Sequence, residues 1–139
     1  MSRRFIFILT GILLLIIIIF FVWQRLFRVS ETSVASEEPS VEISGSELLN
    51  TFQINEDSAN SLFLGKVILV SGQVNSIDED SATFSVYLKG QDDLTGVMCI
   101  FNKPVDLTAS VKVGSEARIK GLCSGYLLDV ILNKCAMAD

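Results

Sequence analysis

Lys66–Val74 reads KVILVSGQV, and here the hydrophobic spacing of the chain changes from a repeat near 3.6 to a repeat of 2. On its amino-terminal side, Ser44 and Glu47 have the spacing of a capping box, and Leu48, Leu49, Phe52, Ala59, Leu62 and Phe63 recur on one helical face. Gly65 is placed to end that helix. On its carboxyl-terminal side follow ATFSVYLK (82–89), TGVMCIFN (95–102), EARIKGL (116–122) and YLLDVILN (126–133), separated by Gly, Asp, Asn and Ser signals. One helix followed by five short strands fits an α+β domain, or a small closed barrel with a helix plugging one end.

The amino-terminal part of the chain has a different character. Phe5–Trp23, FIFILTGILLLIIIIFFVW, is an uncharged run whose helical length would be roughly 28 Å at about 1.5 Å per residue, close to the thickness of a bilayer core. Arg3 and Arg4 precede it, Arg25 and Arg28 follow it, and Trp23 stands where an interfacial aromatic belongs. A cleaved signal peptide would want a shorter apolar core and small residues close behind it. Here Gln24, Arg25, Leu26, Phe27 and Arg28 follow, and the nearest acceptable cut lies after Ala35. The expectation is an uncleaved transmembrane anchor over residues 1–28 that meets the membrane through residues 5–23.

Val29–Val41, VSETSVASEEPSV, is rich in Ser and Glu and has too little apolar surface to order itself. It reads as a flexible acidic linker over residues 29–43, leaving residues 44–139 as the helix and barrel. The arginines flanking the apolar run balance, and the terminal amine adds one positive charge ahead of it, so the positive-inside rule leans to a cytoplasmic amino terminus. The domain then lies outside the cytoplasm, at the inner (plasma) membrane.

ELLNTF (47–52), NEDSAN (55–60), LGKVILVSGQV (64–74), VMCIF (97–101) and above all IKGLCSGYLLDVILNKC (119–135) carry a likeness to a known family. Over about Ser44–Met137 the chain resembles the tRNA_anti-like OB-fold proteins of bacterial envelopes. The resemblance implies a mainly β fold, a five-stranded OB-fold barrel with one preceding helix, in addition to the transmembrane helix read above. It implies no particular activity, because fold is not function.

OB-folds commonly take ligands over strands two and three, between the first and last hairpin loops. From Val29 to Asp139 the sequence has seven Lys and Arg against sixteen Asp and Glu, about nine negative charges in excess. Nucleic-acid binders gain affinity by releasing counterions through a basic face, and this chain has Asp78, Glu79 and Asp80 in its expected first hairpin loop and Asp92 and Asp93 before the third strand. Nucleic acid is therefore disfavoured, and a protein, peptide or glycan is the expected ligand class. The candidate face is Tyr87, with Ser85 and Thr83 on the same side of one strand, together with Tyr126 beside the last turn. Phe84 is in step with Val86 and Leu88 and is expected inside.

The acidic turns lack the alternating ligands and distant glutamate of a calcium loop, and read as solvated turns. The chain contains no histidine, no nucleophile elbow and no phosphate-cradling glycine loop, so no catalytic residue, metal site or cofactor is expected. Asp129, placed by alternation in the last strand beside Leu127 and Ile131, is expected to pair with Arg118 or Lys120. Ser124 and Gly125 are expected to form the last turn, with Gly121 and Gly125 permitting a sharp reversal. A disulfide among Cys99, Cys123 and Cys135 and three buried free thiols are both open readings.

Overall fold

The computed structural model describes residues 11–22, 34–92, 94–103, 107 and 109–139. The chain divides into two compact units, Met1–Thr32 and Ser33–Asp139. In the first unit, residues 11–22 form helix α1, and every one of them is exposed. Among the described residues no helix is long and apolar enough to cross a membrane. The rest of the apolar run, with Arg3, Arg4, Trp23, Arg25 and Arg28, lies outside the described residues, as do residues 29–33 of the expected linker.

The second unit is a closed barrel of five strands, with a sixth strand added beside it and short helices. Strand β1 (Val41–Ser44) leads into helices α2 (Gly45–Ile54) and α3 (Glu56–Phe63), and then come β2 (Val67–Glu79), β3 (Thr83–Lys89), β4 (Gly96–Asn102), β5 (Glu116–Tyr126) and β6 (Val130–Met137). The sheet order is β1-β2-β3-β4-β6-β5, and β5 closes back onto β2. The long strand β2 makes this closure. Its first half, Val67–Gln73, runs antiparallel to β5, and after an irregularity between Val74 and Ser76 its second half pairs with β3. A bulge of this kind bends a strand and raises its twist, which is what a barrel corner needs.

Alternation sets the inside of the barrel. Phe84, Val86 and Leu88 of β3 face Phe101, Cys99 and Val97 of β4 across the ladder, and all six are buried. The β4–β6 pairing is parallel, so the chain must cross back between them, and β5 is that crossover. From α2, Leu48, Leu49 and Phe52 enter the same core, and from the β4–β5 connection Leu107 and Val111 do.

The expected single helix is two. Ser44 caps α2 as its spacing predicts, accepting from the Glu47 amide at 3.3 Å. At Asn55, however, the backbone is extended (φ −157°, ψ 98°), and this residue ends α2 and caps α3, its Oδ1 accepting from the Ser58 amide at 2.9 Å. The break shifts the helical phase. Ala59 and Phe63 still reach the core, but Leu62, expected on the buried face, is 52% exposed.

The carboxyl-terminal half of the expected linker is also structured. Val34 is buried in a 3-10 turn (Val34–Ser36), and the Lys120 ammonium donates to the Ala35 and Glu37 carbonyls at 2.8 Å. The Ser40 amide donates to the Val67 carbonyl at 2.8 Å, and β1 then runs parallel to β2 with Val41 opposite Ile68. The reason lies in β2. Its first half has β5 on one side, whereas β3 pairs only from Val74 onward, so the second edge of Ile68–Ser71 needs partners. Residues 41–44 supply them.

Candidate functional site

The outward positions of β3 are Thr83, Ser85 and Tyr87, all half-buried. Their register partners on β4 are Asn102, Ile100 and Met98, and Met98 in turn stands opposite Ile131 of β6. The structure therefore brings three of the four expected face residues together and adds Met98, Ile100 and Ile131, which the expectation left out. Their signal was in the sequence: they alternate with Val97, Cys99, Phe101 and Leu132, which point inward. The result is a short apolar and hydroxyl-bearing strip across three strands.

Tyr126 is not part of this strip. Its ring stacks on Phe52 of α2, with centroids 5.6 Å apart and planes at 26°, and so extends the core. The last turn is displaced too: β5 continues through Ser124 and Gly125 to Tyr126, and Leu127–Asp129 make the reversal, closed by the Leu127 amide on the Asp129 carbonyl at 3.2 Å. The expected turn pair is instead at an irregularity in the β5–β6 ladder between Cys123 and Gly125, and Gly125 has φ +129°. That conformation needs a residue without a Cβ.

Asp129 is consequently in the turn and outside the last strand. One oxygen, Oδ1, accepts from the Tyr87 hydroxyl and from the buried Gly96 amide at 2.9 Å. Arg118 and Lys120, its expected partners, are engaged elsewhere. Arg118 pairs with Glu42 at 2.7 Å and Lys120 binds the two carbonyls of the amino-terminal strap. Asp129 thus fastens the β5–β6 turn to the end of the β3–β4 strip. Burial first, and then the Asp129 contact, push the Tyr87 phenol above its ordinary pKa.

The acidic loops close on themselves. Asp80 accepts from the Ala82 and Thr83 amides at 2.7 Å and from the Thr83 hydroxyl at 2.8 Å. Asp92 does the same for Leu94 (3.1 Å) and Thr95 (2.9 Å, with the hydroxyl at 2.8 Å). These bonds favour the charged forms: Asp80 is held below the usual carboxylate range chiefly by the Ala82 amide, and Asp92 chiefly by the Thr95 hydroxyl. Asp78 and Glu79 belong to β2, where Glu79 pairs with Lys103 at 2.7 Å, and Asp93 lies outside the described residues.

Cys99, Cys123 and Cys135 are free thiols, all buried. Cys135 donates to the Leu132 carbonyl at 3.4 Å. Hydrogen bonding with Cys135 raises the Cys99 thiol most, followed by burial, and burial raises Cys123. Such thiols behave as small core hydrophobes.

Comparison with known proteins agrees with this architecture. The model of the tRNA_anti-like family matches residues 1–137. A lipoprotein of Klebsiella pneumoniae described as a candidate nucleic-acid binder superposes with a TM-score of 0.58 at 22% identity, over 70% of this chain and 92% of its own. At that identity the likeness concerns the fold. An OBody bound to hen egg-white lysozyme (TM-score 0.42, 11% identity, 56% of this chain and 86% of that one) and U. maydis Replication protein A bound to ssDNA (0.40, 16%, 74% and 76%) are more distant and bear on nothing further. No curated protein matches the sequence.

Proposed function

We propose, from the premise that this chain belongs to the tRNA_anti-like family, that its OB-fold barrel is a non-enzymatic binding module held at the bacterial envelope by the apolar run at 5–23. Its ligand in this reading is a protein, peptide or glycan. The observation that carries the ligand class is how three of the seven cations after Val29 are used. Lys103 and Arg118 are ion-paired with Glu79 and Glu42, and Lys120 binds backbone carbonyls. A phosphate backbone would have to take these groups from their partners on a barrel already in negative excess.

The strip of Thr83, Ser85 and Tyr87 with Met98, Ile100 and Ile131 is the face offered to such a ligand. Its mix of hydroxyls and apolar surface suits a polypeptide or a sugar better than an anion. Support for the envelope comes from the uninterrupted exposed apolar surface of residues 12–22 and from the lipoprotein nature of the Klebsiella pneumoniae relative in fold.

A photo-crosslinking residue in place of Ser85, in the full chain in intact cells, tests the ligand class. Adducts that resist nuclease and yield to protease or glycosidase are expected. Nuclease-sensitive adducts would overturn the proposal in favour of nucleic acid. Alkaline phosphatase fused after Asp139 should be active, and an inactive fusion would place the barrel in the cytoplasm.

A further inference from the structure

The ladder between β2 and β5 stops before β5 does. Its last rungs are Val67 opposite Leu122 and the Cys123 backbone, whose amide donates to the Lys66 carbonyl and whose carbonyl accepts from the Gly65 amide, both at 2.9 Å. Beyond this point the preceding chain has turned into α3, and Gly125 and Tyr126 pair with β6 alone. Between α3 and this end of β5 lies a groove of about 370 Å³.

One wall is Glu56 and Asn60 of α3 with Leu64 just past its end, and the other is Ser124–Leu127 with Ile131 of β6, which the groove shares with the strip. Gly125 leaves the groove open, because a Cβ there would point at Leu64, 3.9 Å from its Cδ1. Asn60 Oδ1 is buried without a hydrogen-bond partner, the only such side-chain atom among the described residues. A buried acceptor left without a donor is destabilising, and an arriving donor would relieve it. The rim is apolar: Leu127 is 80% and Leu64 48% exposed. Glu56, in the first turn of α3, makes its entrance negative.

We propose that this groove takes an extended peptide segment of a partner protein as an added strand along Ser124–Tyr126, with an apolar side chain over Leu64 and Leu127 and a cationic one beside Glu56. The inference rests on the binding-module reading and adds to the strip a second, adjoining site with its own partner class. An extended peptide supplies what this groove can use: a backbone to run beside the end of β5, a donor for Asn60, and alternating side chains for the rim. A lipid surface supplies no repeating backbone of N–H and C=O groups, and a nucleic acid would bring phosphates to Glu56.

The test uses the full chain in detergent micelles as target for a displayed library of random octapeptides. Selected peptides should alternate apolar residues with Lys or Arg. Glu56→Lys should weaken their binding at least fivefold, whereas Glu116→Lys, the same charge change at the far end of β5, should leave it within twofold. N-methylation of alternate peptide amides should abolish binding in one of its two registers. A benzophenone on the peptide should label residues 124–128. Labelling on β3, with Glu56→Lys silent, would overturn the groove and leave the module intact. Selection of no peptide, or dimerisation of the chain through this edge, would also overturn it, and nuclease-sensitive adducts at Ser85 would overturn both readings.

Discussion

The β2–β3 and β5–β6 hairpins of the barrel are each closed near an aspartate, and the two carboxylates work over different distances. Asp80 satisfies donors two and three residues ahead of it. Asp129 accepts from residues 33 and 42 positions away. The turn of the first hairpin is thus held by contacts within itself, whereas the Asp129 side chain ties the second to β3 and β4. Gly121 in β5 also lies against β6, with an added Cβ falling 2.7 Å from Cys135 Sγ and 2.9 Å from Leu132 Cβ.

The sharpest test of this contrast is Gly121→Val. Its branched side chain would be forced between β5 and the inward residues of β6, at a cost of about 3 kcal/mol or more. A chemical denaturation series of the detergent-solubilised chain should show a large fall in midpoint, and an unchanged midpoint would mean that β6 is free to yield. Asp129→Ala comes next, with an expected loss of about 2–3 kcal/mol, because the Gly96 amide is buried and the Tyr87 hydroxyl half-buried when their acceptor is removed. Asp129→Asn should restore much of this, since a carboxamide oxygen still accepts.

Tyr87→Phe removes one of the two bonds and should cost about 1 kcal/mol. It has a second signature at high pH. The folded phenol titrates above its ordinary value of 10.0, so as pH rises past that value the unfolded state loses its proton first and stability falls. The phenylalanine variant should lack this part of the alkaline loss, and an identical alkaline profile would place the coupling elsewhere.

The smallest effect concerns the self-closed turns. Asp80 and Asp92 titrate below their ordinary value of 3.8 when folded, so their contribution is present above that value and is lost as pH falls through the lower folded values. Asp80→Asn with Asp92→Asn should flatten the acid limb of the thermal midpoint and lower the neutral midpoint by the same small amount. Full acid sensitivity in the double variant would assign the limb to other carboxylates.

Much of the fold was legible because it is written locally. The period of two placed five strands, the Ser44 and Glu47 spacing placed the start of α2, and alternation put Phe84 inside and Tyr87, Ser85 and Thr83 together outside. The departures all involve partners distant in the chain. Val41–Ser44 is a strand because one edge of β2 lacks a partner, although nothing in an acidic, Ser-rich stretch announces it. Asn55 has side-chain chemistry suited to a helix cap, yet its use as a break is tied to where α2 and α3 find the core. Ser124 and Gly125 look like a turn by composition, but pairing with β6 carries β5 past them and moves the reversal to Leu127–Asp129.

The candidate site divides in the same way. Composition alone established the negative excess and the absence of histidine, because charge and residue type do not depend on folding. The strip on β3, β4 and β6, the withdrawal of Tyr126 onto Phe52 and the capture of Tyr87 by Asp129 were decided by the tertiary structure. A side chain's period fixes which face it takes on its own strand. Which strands then lie beside it, and which donors reach its polar atoms, depends on barrel closure, and closure is a property of contacts between residues far apart in sequence.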